Sequence, residues 1–462
     1  MLKSLKNRTS RREVIGLLIF TILFICGGQL FGQEKPDLNK LETRARALVD
    51  NLRQGNYEAA GEHFDPTMKT QATPATLKNI WEGLQAQVGT LKEIKGSRFE
   101  SQGPYDFVYL ACVFEKQTLD MRVVFNRQAE IAGFSFVPHL EVKESPQPTY
   151  ARRELFQEQE IQVKTGDWVL PGTLSRPRGS GPFPAVVLVH GSGPNDRDET
   201  IGPNKPFRDL AWGLASKGIA VLRYDKRTRV YGQKLSTDKK ILSSFTVNDE
   251  TVDDALSAVE LLRQTTGIDP GRIFILGHSL GGMLIPRIAL KAESAAGFII
   301  MAGLTRPMED TILEQTRYLL ALQGPATEES RKKLQELEKI VARIKSLTEA
   351  DKNSTEILIG AAPSYWLDIR DYRPAEEARK IDRPMFILQG RRDYQVTEAD
   401  FNAWKKALEG KKNVTFKLYP FCNHLFMEGQ GLSTPDEYLY RAGNVSEEVI
   451  NDLAGWILSV GR

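Results

Sequence analysis

Cysteine and histidine are scarce in this chain: three and five among 462 residues. Cys26 falls in the N-terminal segment, and Cys112 and Cys422 stand in regions of different character, which argues against a disulfide framework. No cysteine or histidine pair has the spacing of metal ligands, so no metal or other cofactor is expected. An excess of charge of one sign is also missing. The 62 basic and 59 acidic residues leave +3, which argues against a dedicated nucleic-acid surface. The apolar run from Val14 to Cys26 falls short of the roughly 20 residues that a membrane-spanning helix needs.

That short run has a context. MLKSLKNRTSRREV is basic, VIGLLIFTILFICGG is apolar, and QLFGQEKPDLN turns polar. This is the layout of an export signal over residues 1–32, with cleavage after Gly28 or Gly32, and it places the protein in the periplasm or outside the cell. Ser10-Arg11-Arg12-Glu13-Val14-Ile15 resembles a twin-arginine export motif. The rival reading is an uncleaved membrane anchor.

The remaining length suggests two or three domains. Residues 38–145 read as a small α+β domain. LNKLETRARALVDNLRQGNY and TLKNIWEGLQAQVG have apolar positions at helical spacing, and three β-type runs follow within residues 106–138. VKESPQPTYARR, with two prolines and mixed charge, reads as the linker.

From residue 150 to 462 the pattern is that of an α/β fold. FQEQEIQVKTGDWVLPGTLSRP suggests an antiparallel pair. The buried-strand runs AVVLVH, IAVLRYD, RIFILG, FIIMAG, MFILQG and VTFKLYP then come with helical segments between several of them, which means a mostly parallel sheet. Residues from about 304 to 375 are too long for one crossover and carry the charged amphipathic stretch ESRKKLQELEKIVARIKSLTEADK. They read as an inserted helical lid.

Gly277-His278-Ser279-Leu280-Gly281 fits G-x-S-x-G between a buried strand and a helix, the context of a nucleophile elbow. A serine hydroxyl needs a base, and five histidines make the search short. His63 and His139 lie in the first domain, His278 adjoins the serine, and His190 ends a strand. His424, in YPFCNHLF after the last strand, remains. A carboxylate must orient that base. Asp393 follows the strand MFILQG, whereas Asp400 falls inside the next helix and Asp382 precedes the strand. The order Ser279, Asp393, His424 is the α/β-hydrolase order. Oxyanion donors are expected from the backbone N–H of Leu280 and from the loop His190-Gly191-Ser192-Gly193-Pro194, on Ser192 with Gly191 as the alternative. In NDRDET, residues 195–200, Arg197 between two aspartates reads as an ion-paired loop.

HGSGPNDRD, GHSLGG, PSYWLDIRDYRP, QGRRDYQV and CNHLF together resemble α/β-hydrolase acyl hydrolases: secreted bacterial carboxylesterases of the esterase D type and serine aminopeptidase-like enzymes. The resemblance spans about residues 150–462. Residues 38–145 are similar to the small cystatin- or NTF2-like domain often fused ahead of such esterases. The resemblance implies Ser279, Asp393 and His424 as triad, Ser192 and Leu280 as oxyanion donors, and Tyr365 and Trp366 as an aromatic wall of the pocket or as packing between lid and core. It implies acyl hydrolysis through an acyl-enzyme and does not fix the acyl chain; the nearly neutral chain with its apolar lid suits a small or medium, mostly apolar ester. The alternatives are an aminopeptidase on the same triad and a non-catalytic binding protein. The first domain is a candidate for homo-oligomerisation, and a membrane enters only through the N-terminal segment.

Overall fold

The computed structural model describes residues 38–102, 105–139, 145–431 and 433–460; the segment read as an export signal, 1–32, lies outside them. The described chain forms two compact units, 38–139 and 145–460.

The first unit begins with the helices Leu38–Gln54, Tyr57–Ala60, Pro66–Gln71 and Pro74–Val88. Leu41, Ala45, Leu48, Val49 and Leu52 recur at helical spacing and are all buried. Asp65 and Thr73 each precede a proline and cap the helix that follows, accepting from the Met68 and Thr76 N–H groups. The strands are β1 (Leu91–Gln102), β2 (Tyr105–Phe114), β3 (Thr118–Phe125) and β4 (Ile131–Pro138), antiparallel in sequence order. Val108, Leu110 and Cys112 alternate inward beside Met121, Val123 and Phe125, and with Trp81 and Phe114 they form the core. The sequence suggested three strands, and the structure has four. LKEIKGSRFESQ, the missed β1, is charged and broken by two register shifts against β2, so it carries no clean period-two signal.

The second unit is built on an eight-stranded sheet. Its strands are β5 (Phe156–Thr165), β6 (Trp168–Pro177), β7 (Phe183–Val189), β8 (Ala220–Tyr224), β9 (Ile268–His278), β10 (Gly297–Met301), β11 (Met385–Gly390) and β12 (Val414–Tyr419). They lie in the order β12-β11-β10-β9-β7-β8-β6-β5. The last six strands of the chain pair parallel, while β5 and β6 form an antiparallel flap joined to β8 through β6. Every residue of β8, β10 and β11 is buried, which explains why these segments read as apolar runs interrupted only by Arg223 and Gln389. The strand order reverses around β7, so the carboxyl ends of β7 and β9 border a topological switch point, where open α/β sheets place their ligands.

Between β10 and β11 lie the helices Met308–Leu322, Glu328–Ser346, Pro363–Ile369 and Pro374–Ala378. Thr327 caps the second with a reciprocal box to Ser330. The insertion is fastened where it begins: Asp400 accepts from the Thr305 N–H and hydroxyl and from Arg306. The sequence-rejected acid Asp400 is therefore a structural anchor. Tyr318 of the first inserted helix stacks on Tyr394 at 5.0 Å, and Tyr394 lies 5.8 Å from the Tyr438 ring. With Leu319, Leu425 and Met427 these rings make a small apolar cluster that ties the insertion to the loops after β11 and β12.

Candidate active site

Strand β9 runs into His278 and the helix Leu280–Ala289 starts one residue later. Ser279, between them, has φ 55° and ψ −115°, a conformation that side chains rarely adopt. Two glycines make the turn feasible. A Cβ on Gly277 would lie 2.3 Å from the Gly281 oxygen, and one on Gly281 would lie 2.3 Å from the Val189 carbonyl and 2.7 Å from that of His190. Gly281→Ala should force the elbow off the end of β7. The expected cost is about 3 kcal/mol, seen as a fall of roughly 5–10 °C in the melting midpoint of the hydrolase unit. An unchanged midpoint would contradict the close approach.

The Leu280 N–H belongs to the first turn of its helix and has no intrahelical acceptor, so it is available to a ligand. Gly191 lies against the nucleophile: a Cβ there would be 3.2 Å from the Ser279 Cβ. The Gly191 N–H, however, donates to Glu199 Oε1 at 2.6 Å. Gly191 is therefore not the alternative oxyanion donor that the sequence allowed, and Ser192 stays the candidate. The loop is held through its carbonyls. Asn195 Nδ2 donates to Gly191 and Ser192 at 3.2 and 3.1 Å, and Lys226 Nζ donates to Gly191 at 2.7 Å.

Asp393 and His424 come together across 31 residues of chain, with His424 Nδ1 donating to Asp393 Oδ2 at 2.6 Å. Both side chains are buried. Asp393 Oδ1 accepts from the Gln395 and Val396 N–H groups at 2.8 and 3.0 Å, and Gln389 Nε2 donates to Oδ2 at 3.1 Å. Asn423 shapes the base loop by accepting from the Leu425 and Met427 N–H groups. The His424 ring lies 4.7 Å from the His278 ring, centroid to centroid. Among the described residues no hydrogen bond joins Ser279 Oγ to His424; such bonds commonly tighten only when substrate is bound.

A strained serine on a strand–helix turn, a histidine and a carboxylate from the ends of the last two strands, and a glycine loop beside them are all in place. Residues 182–430 match the family described as serine aminopeptidase, S33. The chain belongs to this α/β-hydrolase family. Residues 45–134 match a family of unknown function, DUF3887. The chain is 38% identical over 442 residues to esterase EstD of Thermotoga maritima, covering 96% of this chain and 99% of that protein. It is 28% identical to a proline iminopeptidase of Saccharolobus solfataricus over 50% of this chain and 77% of that one. Among solved structures, an esterase of Pyrococcus furiosus superposes with a TM-score of 0.42 at 15% identity, over 70% of this chain and 99% of that chain.

Other predicted residues of this hydrolase have different surroundings. Trp366 is 2% exposed and its indole N–H donates to the Leu358 carbonyl at 2.7 Å, so it packs the insertion against the core. The Tyr365 hydroxyl donates to Glu250 Oε2 at 2.6 Å. Glu250 Oε1 pairs with Lys226 at 2.7 Å, so a buried chain runs from Tyr365 through Glu250 and Lys226 to the Gly191 carbonyl. Glu250 sits on a single π-helical turn, Asn248–Val252. Arg197 does not pair with its flanking aspartates but donates to Asp225 and Glu160, while Asp198 accepts from Arg223. These groups border an open cleft of about 410 Å³ held by ion pairs. Burial pushes the Cys422 thiol up to about 12, so it packs as an apolar group beside the base.

Reading the sequence missed Glu199, Lys226 and Glu250. Nothing in DRDET, RYDKRTR or NDETV distinguishes a buried charge from a solvated one.

Proposed function

We propose that this protein is a serine carboxylesterase working through an acyl-enzyme on Ser279. What supports the reading is the buried Asp393–His424 pair together with the elbow conformation of Ser279, in a chain 38% identical to an esterase over 99% of that protein. His424 Nε2 takes the Ser279 proton as Oγ attacks the ester carbonyl. The Leu280 and Ser192 N–H groups receive the developing oxyanion. The C–O bond breaks, and the alcohol leaves with the proton held by His424. A water activated by the same imidazole then releases the acid and restores Ser279.

The substrate class proposed is a small or medium, mostly apolar ester, and the basic and apolar residues before Gln33 support an exported enzyme. The test is trapping with an alkyl fluorophosphonate followed by peptide mass analysis. One phosphonyl group on the Ser279 peptide, with loss of p-nitrophenyl ester turnover in step, is the expected result. Labelling elsewhere, or turnover that survives full labelling, would refute it. Faster cleavage of aminoacyl naphthylamides than of esters would move the assignment to a peptidase.

A further inference from the structure

The loops that carry the oxyanion donors, the nucleophile and the base are joined beneath the site by one buried carboxylate and one imidazole. Glu199 is 2% exposed and holds φ 51°, a backbone strain that only a firmly held residue sustains. Its Oε1 accepts from the Gly191 N–H at 2.6 Å and its Oε2 from His278 Nδ1 at 2.8 Å. The other ring nitrogen, His278 Nε2, lies 2.9 Å from the His424 backbone oxygen. A carboxylate oxygen and a peptide carbonyl oxygen are acceptors only, so both ring nitrogens must carry protons. The ring is 4% exposed, between Phe207 and Phe426.

We propose that Glu199 and His278 form a carboxylate–imidazolium pair at neutral pH that positions the base loop and the oxyanion loop around Ser279. Neither residue touches substrate; each acts through the backbone of Gly191 or His424. The inference rests on the assignment of Ser279 and His424 as the esterase machinery.

The electrostatic surroundings agree. Burial acts against a charged ring, but the facing Glu199 carboxylate, the His424 carbonyl and the more distant Asp393 outweigh it and raise the His278 pKa. Burial likewise opposes the Glu199 anion, and His278 outweighs it, so the carboxyl pKa is lowered. The remaining histidine nearby, His190, is pushed down to about 4 by burial, stays neutral and donates to the Asp196 carbonyl, while Lys226 is held by Glu250. A group whose folded pKa is raised contributes its full stabilisation below its ordinary value of about 6.5 and loses it as pH rises through the folded value. On losing a proton, His278 keeps the Nδ1–H that faces the carboxylate and releases the His424 carbonyl, so the base loop loosens on the alkaline side.

Two measurements on the full chain test this. The first is the ring-nitrogen NMR spectrum of histidine-labelled protein at pH 7.5, with the signals of His278 assigned by their loss in His278→Gln. An ordinary histidine is about nine-tenths neutral there. The expected result is protons on both ring nitrogens. A neutral ring, as a protonated Glu199 would leave, overturns the pair. The second is Glu199→Gln, which preserves the acceptor for Gly191 and a contact to His278 while removing both charges. It should lower kcat about tenfold with KM within about twofold, and abolish the alkaline limb of the wild-type kcat profile. A wild-type kcat and alkaline limb in Glu199→Gln would overturn the positioning role even with a charged ring. If that variant does not fold, the wild-type nitrogen spectrum decides. The spectrum does not depend on turnover, so a neutral His278 in a protein still inactivated at Ser279 would discard this inference and leave the esterase assignment intact.

Discussion

Ser279→Ala is expected to lower kcat on a p-nitrophenyl ester by about 10⁴–10⁶-fold. Removing Oγ leaves the base without a proton to take and the carbonyl without an attacking atom. Some rate above that of water should remain, because the Leu280 N–H and the glycine loop still polarise a bound ester. Stability should be unaffected. Alanine and serine suffer the same strain at φ 55°, and the Ser279 backbone keeps its bonds: its N–H to the Met301 oxygen at 2.9 Å and its oxygen to the Met283 N–H at 2.9 Å. The check is steady-state turnover beside thermal melting. A variant retaining more than about a hundredth of wild-type kcat would remove Ser279 from the mechanism.

Asp393→Asn should cost about 10⁴-fold in kcat with little change in fold. The direction follows from the groups around the carboxylate. Oδ1 is committed as acceptor to the Gln395 and Val396 N–H groups. An asparagine must keep its oxygen there, which points its NH₂ at His424 Nδ1 and towards the Gln389 amide. His424 would then accept at Nδ1 and carry its proton on Nε2, the tautomer that cannot take the Ser279 proton. The imidazolium formed during attack would also lose its counter-charge. Steady-state kinetics checks this, and a loss below tenfold would show that His424 takes its orientation from elsewhere. Asp393→Ala, which permits either tautomer, should lose no more than Asp393→Asn.

The two substitutions concern residues that could be read in the sequence, because their signals are local. Gly277 and Gly281 are needed where a Cβ would strike backbone four or five residues away or at the adjoining strand end, so the elbow leaves its mark in five consecutive letters. Asp393 follows β11, which is buried throughout, and His424 follows β12, a half-buried edge strand with apolar residues at alternate positions; the scarcity of histidine shortened the choice. The two long helices of the first unit were legible from apolar spacing, whereas the short helices Tyr57–Ala60 and Pro66–Gln71 were not, nor was charged β1, whose register depends on β2 and not on its own period.

By itself the sequence determined what short-range sterics and periodicity control: the alternation of strand and helix, the inserted helices, the serine at a turn and the positions of Asp393 and His424 after the last two strands. Tertiary structure alone decided which buried charges meet. Glu199 reaches His278 across 79 positions and His278 reaches His424 across 146. Lys226 turns from a solvent-seeking cation into a clamp on Gly191 because Glu250 is brought within 2.7 Å. The same closure diverts the Gly191 N–H from the oxyanion site to Glu199. A buried charge is tolerated only where a partner arrives from elsewhere in the chain. No local pattern records that arrival, so these pairings become visible only once the sheet brings the ends of its strands together.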